Sequence, residues 1–226
     1  MGEEVIEMRV EETALSRKPH FVLVHGIGGG SWCWYKIRCL MENAGYKVSC
    51  VDLKGSGIDQ GDANSILSFD DYNKPLMDLL SSLPDNEQGV PELSSFGEVY
   101  ELGFGLGSNE APTSAIVKKE FQRQIIYQMS PREDSILASM LLRPGPILAL
   151  KRAQFKEEEN GDGIEKVKRV YIKTKHDHVI KPQQQEAMIK RWPPSQVFLL
   201  DCDHSPFFSS PFLLFGLLVK AAASVG

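Results

Sequence analysis

The chain has 226 residues, 42% of them hydrophobic and 24% charged, with a net charge of −5. That is room for one larger domain, or one domain with an inserted cap, in a folded composition. The mild acidity offers nothing to a phosphate backbone or anionic lipid, so neither nucleic acid nor a membrane is an expected partner. The longest apolar run, Pro211 to Val219, falls short of the roughly 20 residues that cross a bilayer. The first seventeen residues are polar and acidic, unlike a leader peptide. Cys33, Cys39, Cys50 and Cys202 have neither metal-ligand nor disulfide-framework spacing, so the expectation is a cytoplasmic protein without metal or cofactor.

In chain order, Phe21 to Val24 is a short apolar run ahead of a glycine-rich turn, which predicts a buried parallel strand. Trp32 to Ala44 carries Trp32, Tyr35, Cys39 and Leu40 at helical spacing and stops at Gly45. Lys47 to Leu53 reads as a second strand, making a right-handed parallel unit. Ser68-Phe69-Asp70-Asp71 resembles a capping box opening a helix with Leu76, Leu79, Leu80 and Leu83, and Pro75 restricts where its regular part begins. Ser82 to Gln88 ends it. Gly89 to Gly97 is turn-like where the alternation calls for a strand.

From Glu98 to Ala149 the reading is mostly helical and irregular, with helices over Val117 to Met129 and Arg132 to Leu142. Lys156 to Gly163 is charged and glycine-containing, a solvated loop. The alternation then resumes with strand Arg169 to Thr174, helix Gln183 to Trp192, strand Gln196 to Asp201 and an apolar helix around Phe212 to Ala222. There is no internal repeat.

Two segments carry chemistry. His25-Gly26-Ile27 follows a strand, where a glycine turn joins elements, holds a phosphate or points a backbone N–H into a cleft as half of an oxyanion hole. The residues do not complete G-x-G-x-x-G, and no Walker lysine follows. Asp177 lies three residues past the strand end at Thr174, and His204 three past the strand end at Asp201. Loops at the carboxyl ends of parallel strands converge on one sheet edge, so this acid can orient this base. His176 and His178 flank Asp177 without a Cys or carboxylate cluster to complete a metal site. Cys202 shares its loop with His204 rather than standing on an elbow opposite.

The nucleophile that such a pair serves is missing. A serine on a G-x-S-x-G elbow belongs between these segments, in the order Ser, Asp, His. Ser31, Ser56, Ser95 and Ser108 each lack a required glycine, and no stretch of the chain fits.

Phe21-Val22-Leu23-Val24-His25-Gly26 with Trp32-Cys33-Trp34-Tyr35-Lys36, Asp52-Leu53 to Ser56-Gly57-Ile58, Tyr127-Gln128-Met129-Ser130-Pro131 with Arg143-Pro144, and Asp203-His204-Ser205-Pro206-Phe207-Phe208 resemble the plant methylesterase family of α/β-hydrolases. Tyr171 to Asp177 and Arg191 to Ser195 continue the resemblance, which covers nearly all of residues 20–225. It implies an α/β-hydrolase-like parallel sheet with a helical cap, whose central strand-helix-strand block is absent. It divides the chain into a polar extension (1–19), an N-terminal part of the core (20–88), a cap (89–165) and a C-terminal part of the core (166–226).

By the same resemblance Asp177 is the triad acid, His204 the general base and Ile27 an oxyanion N–H donor. The partner is a small-molecule methyl ester of the methyl indole-3-acetate, methyl jasmonate or methyl salicylate type, or its free acid. Ser205 stands where hydroxynitrile lyases carry lysine, which favours an esterase. Between Gln88 and Gly89 the family has a strand, the elbow, a helix and another strand, roughly 30 to 45 residues by ordinary element lengths. Three outcomes are open: a truncated or splice form with little activity, a non-catalytic binder, or an unstable product in which Phe21 to Val24 pairs directly with Arg169 to Thr174.

Overall fold

The structure is a computed structural model that describes residues 18–81, 99–153 and 168–225. The Gln88–Gly89 join, Leu83, the Gly89 to Gly97 turn and the Lys156 to Gly163 loop fall outside the described residues. β1 (His20–Val24) leads through a 3-10 turn at Ser31–Trp34 into α1 (Tyr35–Asn43), and β2 (Lys47–Val51) returns parallel to β1. His20 pairs with Lys47 and Val24 with Val51, so the carboxyl ends of both strands emerge together.

α2 (Phe69–Ser81) starts where the Ser68 hydroxyl accepts the Asp71 amide, a cap for one of the open N–H groups. Pro75 sits inside this helix instead of delaying it. Its ring forgoes one N–H bond, while Tyr72, Leu76 and Leu80, four residues apart, bury one continuous face. That face covers Val22, Val24 and Val51 on one side of the β1–β2 pair.

A hairpin replaces part of the expected helical region. β3 (Tyr100–Gly103) pairs antiparallel with β4 (Ser114–Val117), and Ile116-Val117 are β-branched residues suited to a pleated, half-buried surface. The helix expected over Val117 to Met129 is therefore α3 (Lys119–Ile125) alone. Its end is physical: Arg123 donates to the Ser130 carbonyl at 2.6 Å, while the Met129 amide and Ser130 hydroxyl are drawn to Asp203 at 2.9 Å each. α4 (Arg132–Leu141) and the short α5 (Ile147–Lys151) follow.

β5 (Val170–Thr174), α6 (Pro182–Arg191) and β6 (Gln196–Leu200) form the second parallel unit, with Thr174 opposite Leu200. α7 (Pro206–Ser209) and α8 (Pro211–Val225) close the described chain. β1 pairs with β2 and β5 with β6, and among the described residues no strand pairing joins these two sheets. The direct pairing of the first strand with Arg169 to Thr174 is not formed. The two units meet through side chains instead, in a core of Leu23, Ile37 and Met41 with Leu200, Cys202 and Leu214.

Candidate active site

Both loops that carry the expected acid and base leave the carboxyl ends of β5 and β6. The first is pinned by Gln185 of α6, a buried amide that accepts the Thr174 N–H at 2.9 Å and donates to the Thr174 and Ile180 carbonyls at 2.8 Å each. Asp177, only 4% exposed, spends both oxygens within this frame: Oδ1 accepts the Val179 and Ile180 amides at 2.8 Å each, and Oδ2 accepts the Thr174 hydroxyl at 2.9 Å. Across from it, His204 Nδ1 lies 3.0 Å from Oδ2 and 3.1 Å from Oδ1. The structure thus brings the two residues together.

A carboxylate that already accepts three donors accepts the Nδ1–H hydrogen bond as well and fixes the proton on Nδ1, which leaves Nε2 as the basic nitrogen. Burial pushes the Asp177 carboxyl up. The His204 hydrogen bond and charge, the Ile180 amide and the Thr174 hydroxyl outweigh it and hold the group below the ordinary carboxylate value. The His204 side chain is about one-third exposed, at 31%. Nε2 has no hydrogen-bond partner among the described residues. The buried Ser205 hydroxyl next to it also has no partner, so it is not bonded to the imidazole. Burial pushes the Cys202 thiol up to about 12, far from a thiolate nucleophile.

Ile27 sits in the turn after β1. That turn is held by its neighbours: the Arg143 amide donates to the Gly28 carbonyl at 2.9 Å, and Gly28 has φ +73° with the Arg143 carbonyl 2.5 Å from where a Cβ would stand. The Ile27 N–H itself donates to no described residue. His25 has another job. Its buried ring donates from Nδ1 to the Gly26 carbonyl at 2.7 Å and accepts the Leu53 amide on Nε2 at 3.0 Å, tying the loops after β1 and β2 together.

His176 Nε2 bonds Asp201 at 2.7 Å and His178 Nδ1 bonds the Gln124 carbonyl at 3.0 Å. Among the described residues no group of three or more His, Cys, Asp or Glu could hold a metal ion. Sequence reasoning left Thr174, Gln185 and Asp203 without roles. For Asp203 its position beside His204 was a signal, but its partners Met129 and Ser130 lie more than seventy residues away in the chain.

Residues 19–89 match the family model of the alpha/beta hydrolase fold. Methylesterase 17 of Arabidopsis thaliana is 49% identical, with 100% of this chain and 99% of the relative covered. That alignment runs over 274 positions, 48 more than the 226 residues of the chain, so at least that many positions of the relative face no residue here. Among solved structures, the Arabidopsis methylesterase MES16 superposes with a TM-score of 0.81 at 36% identity, over 91% of this chain and 99% of that one. A histidine-to-alanine variant of tomato Methylketone Synthase I, solved with beta-ketoheptanoate, gives 0.78 at 28% identity, over 92% and 99%.

Proposed function

This chain belongs to the plant methylesterase family of α/β-hydrolases, and on that premise we propose that it is a shortened form of an enzyme that hydrolyses hormone methyl esters, itself with little activity. The reaction of the complete form is R–CO–OCH3 + H2O → R–COOH + CH3OH. A serine attacks the carbonyl, His204 takes its proton and gives it to the departing methanol, then the same base activates a water that cleaves the acyl-serine to the free acid and restores the hydroxyl, while Asp177 holds the imidazole. Esters of the methyl indole-3-acetate and methyl jasmonate type are the substrates this reading assigns. The observation that carries it is the His204–Asp177 pair at 3.0 Å with no described group bonded to Nε2. The base is built, and no hydroxyl or thiol among the described residues is bonded to it.

Removing the nucleophile from a unit of this kind costs several orders of magnitude in rate. Purified chain incubated with methyl indole-3-acetate is expected to release methanol that far below the form with the family's elbow block inserted between Gln88 and Gly89. His204→Ala removes the activity of the inserted form. Comparable turnover by the chain as it stands overturns the reading. For the splice origin, sequencing of transcript and genome across the join decides: one continuous exon with no coding sequence between the two codons refutes it.

A second reading is a binder of the free acid. It draws support from the tomato relative, solved with beta-ketoheptanoate and with 2-tridecanone. Saturable binding of indole-3-acetic acid without methanol release from its ester is the expected result for this reading.

A further inference from the structure

We propose that Asp203 is the positioning residue of the His204 base, a buried carboxylate that locks the base's loop to the α3–α4 segment. This deepens the reading of His204 as the base and rests on it. Asp203 is fully buried and adjacent in sequence to His204. Its Oδ1 accepts the Ser205 amide at 2.9 Å and the Ser209 hydroxyl at 2.8 Å, holding the chain on the far side of His204 and the end of α7. Its Oδ2 accepts the Met129 amide and the Ser130 hydroxyl at 2.9 Å each, from the turn between α3 and α4. Four neutral donors fill the roughly four acceptor sites of its two oxygens.

The end of α3 and the same turn reach the acid's loop as well. Gln128 donates to the His176 carbonyl and the His178 ring bonds the Gln124 carbonyl, one on each side of Asp177. Residues 124–130 therefore touch both site loops, and Asp203 is the node on the side of the base. A second buried carboxylate, Asp134 of α4, serves as a comparison. It accepts the Tyr35 hydroxyl at 2.6 Å and pairs with Lys36, holding α4 to the start of α1 without touching either site loop.

The test uses the whole chain and needs no turnover. Proton NMR follows the hydrogen-bonded Nδ1–H of His204, assigned by its loss in His204→Ala, and hydrogen exchange follows the Met129 amide. Asp177→Asn is expected to abolish the His204 resonance. Asp203→Asn and the milder Ser130→Ala are expected to shift or broaden it and to speed Met129 exchange about tenfold, the scale of one lost hydrogen bond. Asp134→Asn leaves the resonance in place.

If Asp203→Asn does not fold, Ser130→Ala carries the test alone, since it removes one donor and leaves the carboxylate three. A folded Ser130→Ala whose His204 resonance and Met129 exchange match the wild type overturns the proposal. Absence of the resonance in the wild type overturns instead the reading of His204 as an Asp-held base.

Discussion

In the β5–β6 unit the proposed acid and base, and the groups that orient them, come from residues 174–209, with one segment borrowed at 124–130. Around the β1–β2 turns the polar side chains hold backbone. His25 bridges Gly26 and Leu53, Asp52 accepts the Ser31 amide at 2.6 Å, and Arg143 donates to the carbonyls of Asp59 and, at 3.1 Å, Gly61. One unit ends in a saturated carboxylate at Asp177 with His204 bonded to it, the other in an N–H at Ile27 that donates to no described residue. The contrast teaches that acid–base geometry in this fold is local. It needs two adjacent strands, one helix and a borrowed turn, and it stands in a chain without an elbow. What is not local is the join between the units, which among the described residues is made by side chains rather than by strand pairing.

The sharpest way to break that contrast is to weaken the join. Phe208 is 1% exposed and packs on Phe207, Tyr127, Trp32 and Tyr35, at ring-centroid distances of 4.7, 6.1, 6.3 and 6.3 Å. Phe208→Ala is expected to cost about 3–5 kcal/mol in urea unfolding, through lost apolar burial and the cavity left behind. Two separate transitions in the wild type would show that the units fold independently and would sink the idea of a shared core. Next in size is Asp177→Ala, expected to cost about 1–3 kcal/mol because the Val179 and Ile180 amides lose a buried acceptor. By hydrogen exchange that loss stays within residues 170–209, and faster exchange in β1 or β2 would contradict the locality of the pair.

How much of this could be read beforehand follows the same division. β1, α1, β2, β5, α6 and β6 are legible because apolar runs alternate with glycine and proline punctuation, and Asp177 and His204 because each lies three residues beyond an expected strand. The β3–β4 hairpin is not legible that way: its strands have four residues each, and residues 104–113 separate partners that only the fold aligns. The early end of α3 and the burial of Asp203 have one cause, a contact between residues 129–130 and 203 that leaves no periodic trace in either segment. Thr174 and Gln185 read as ordinary strand and helix residues, and their roles emerge once β5 and α6 are packed together.

The smallest expected effect is a slope with pH, and it separates the two units by chemistry rather than by packing. Burial holds the His25 imidazole below its ordinary value of 6.5, against opposing contributions from the Gly26 carbonyl and the charge of Asp52. The unfolded chain therefore binds this proton first as the pH falls, so stability from His25 is complete above 6.5 and is lost as the pH drops from there toward the folded value. A single proton limits that slope to about 1.4 kcal/mol per pH unit. Asp177, also held low, loses its contribution only below the ordinary carboxylate value of 3.8, so its loss begins at lower pH than that of His25. His25→Gln offers the Leu53 amide an acceptor that does not titrate. The difference in urea midpoint between wild type and this variant is expected to shift against the wild type from pH 7 to pH 5. Parallel curves would mean that the bridge between the β1 and β2 loops is not held by a neutral imidazole.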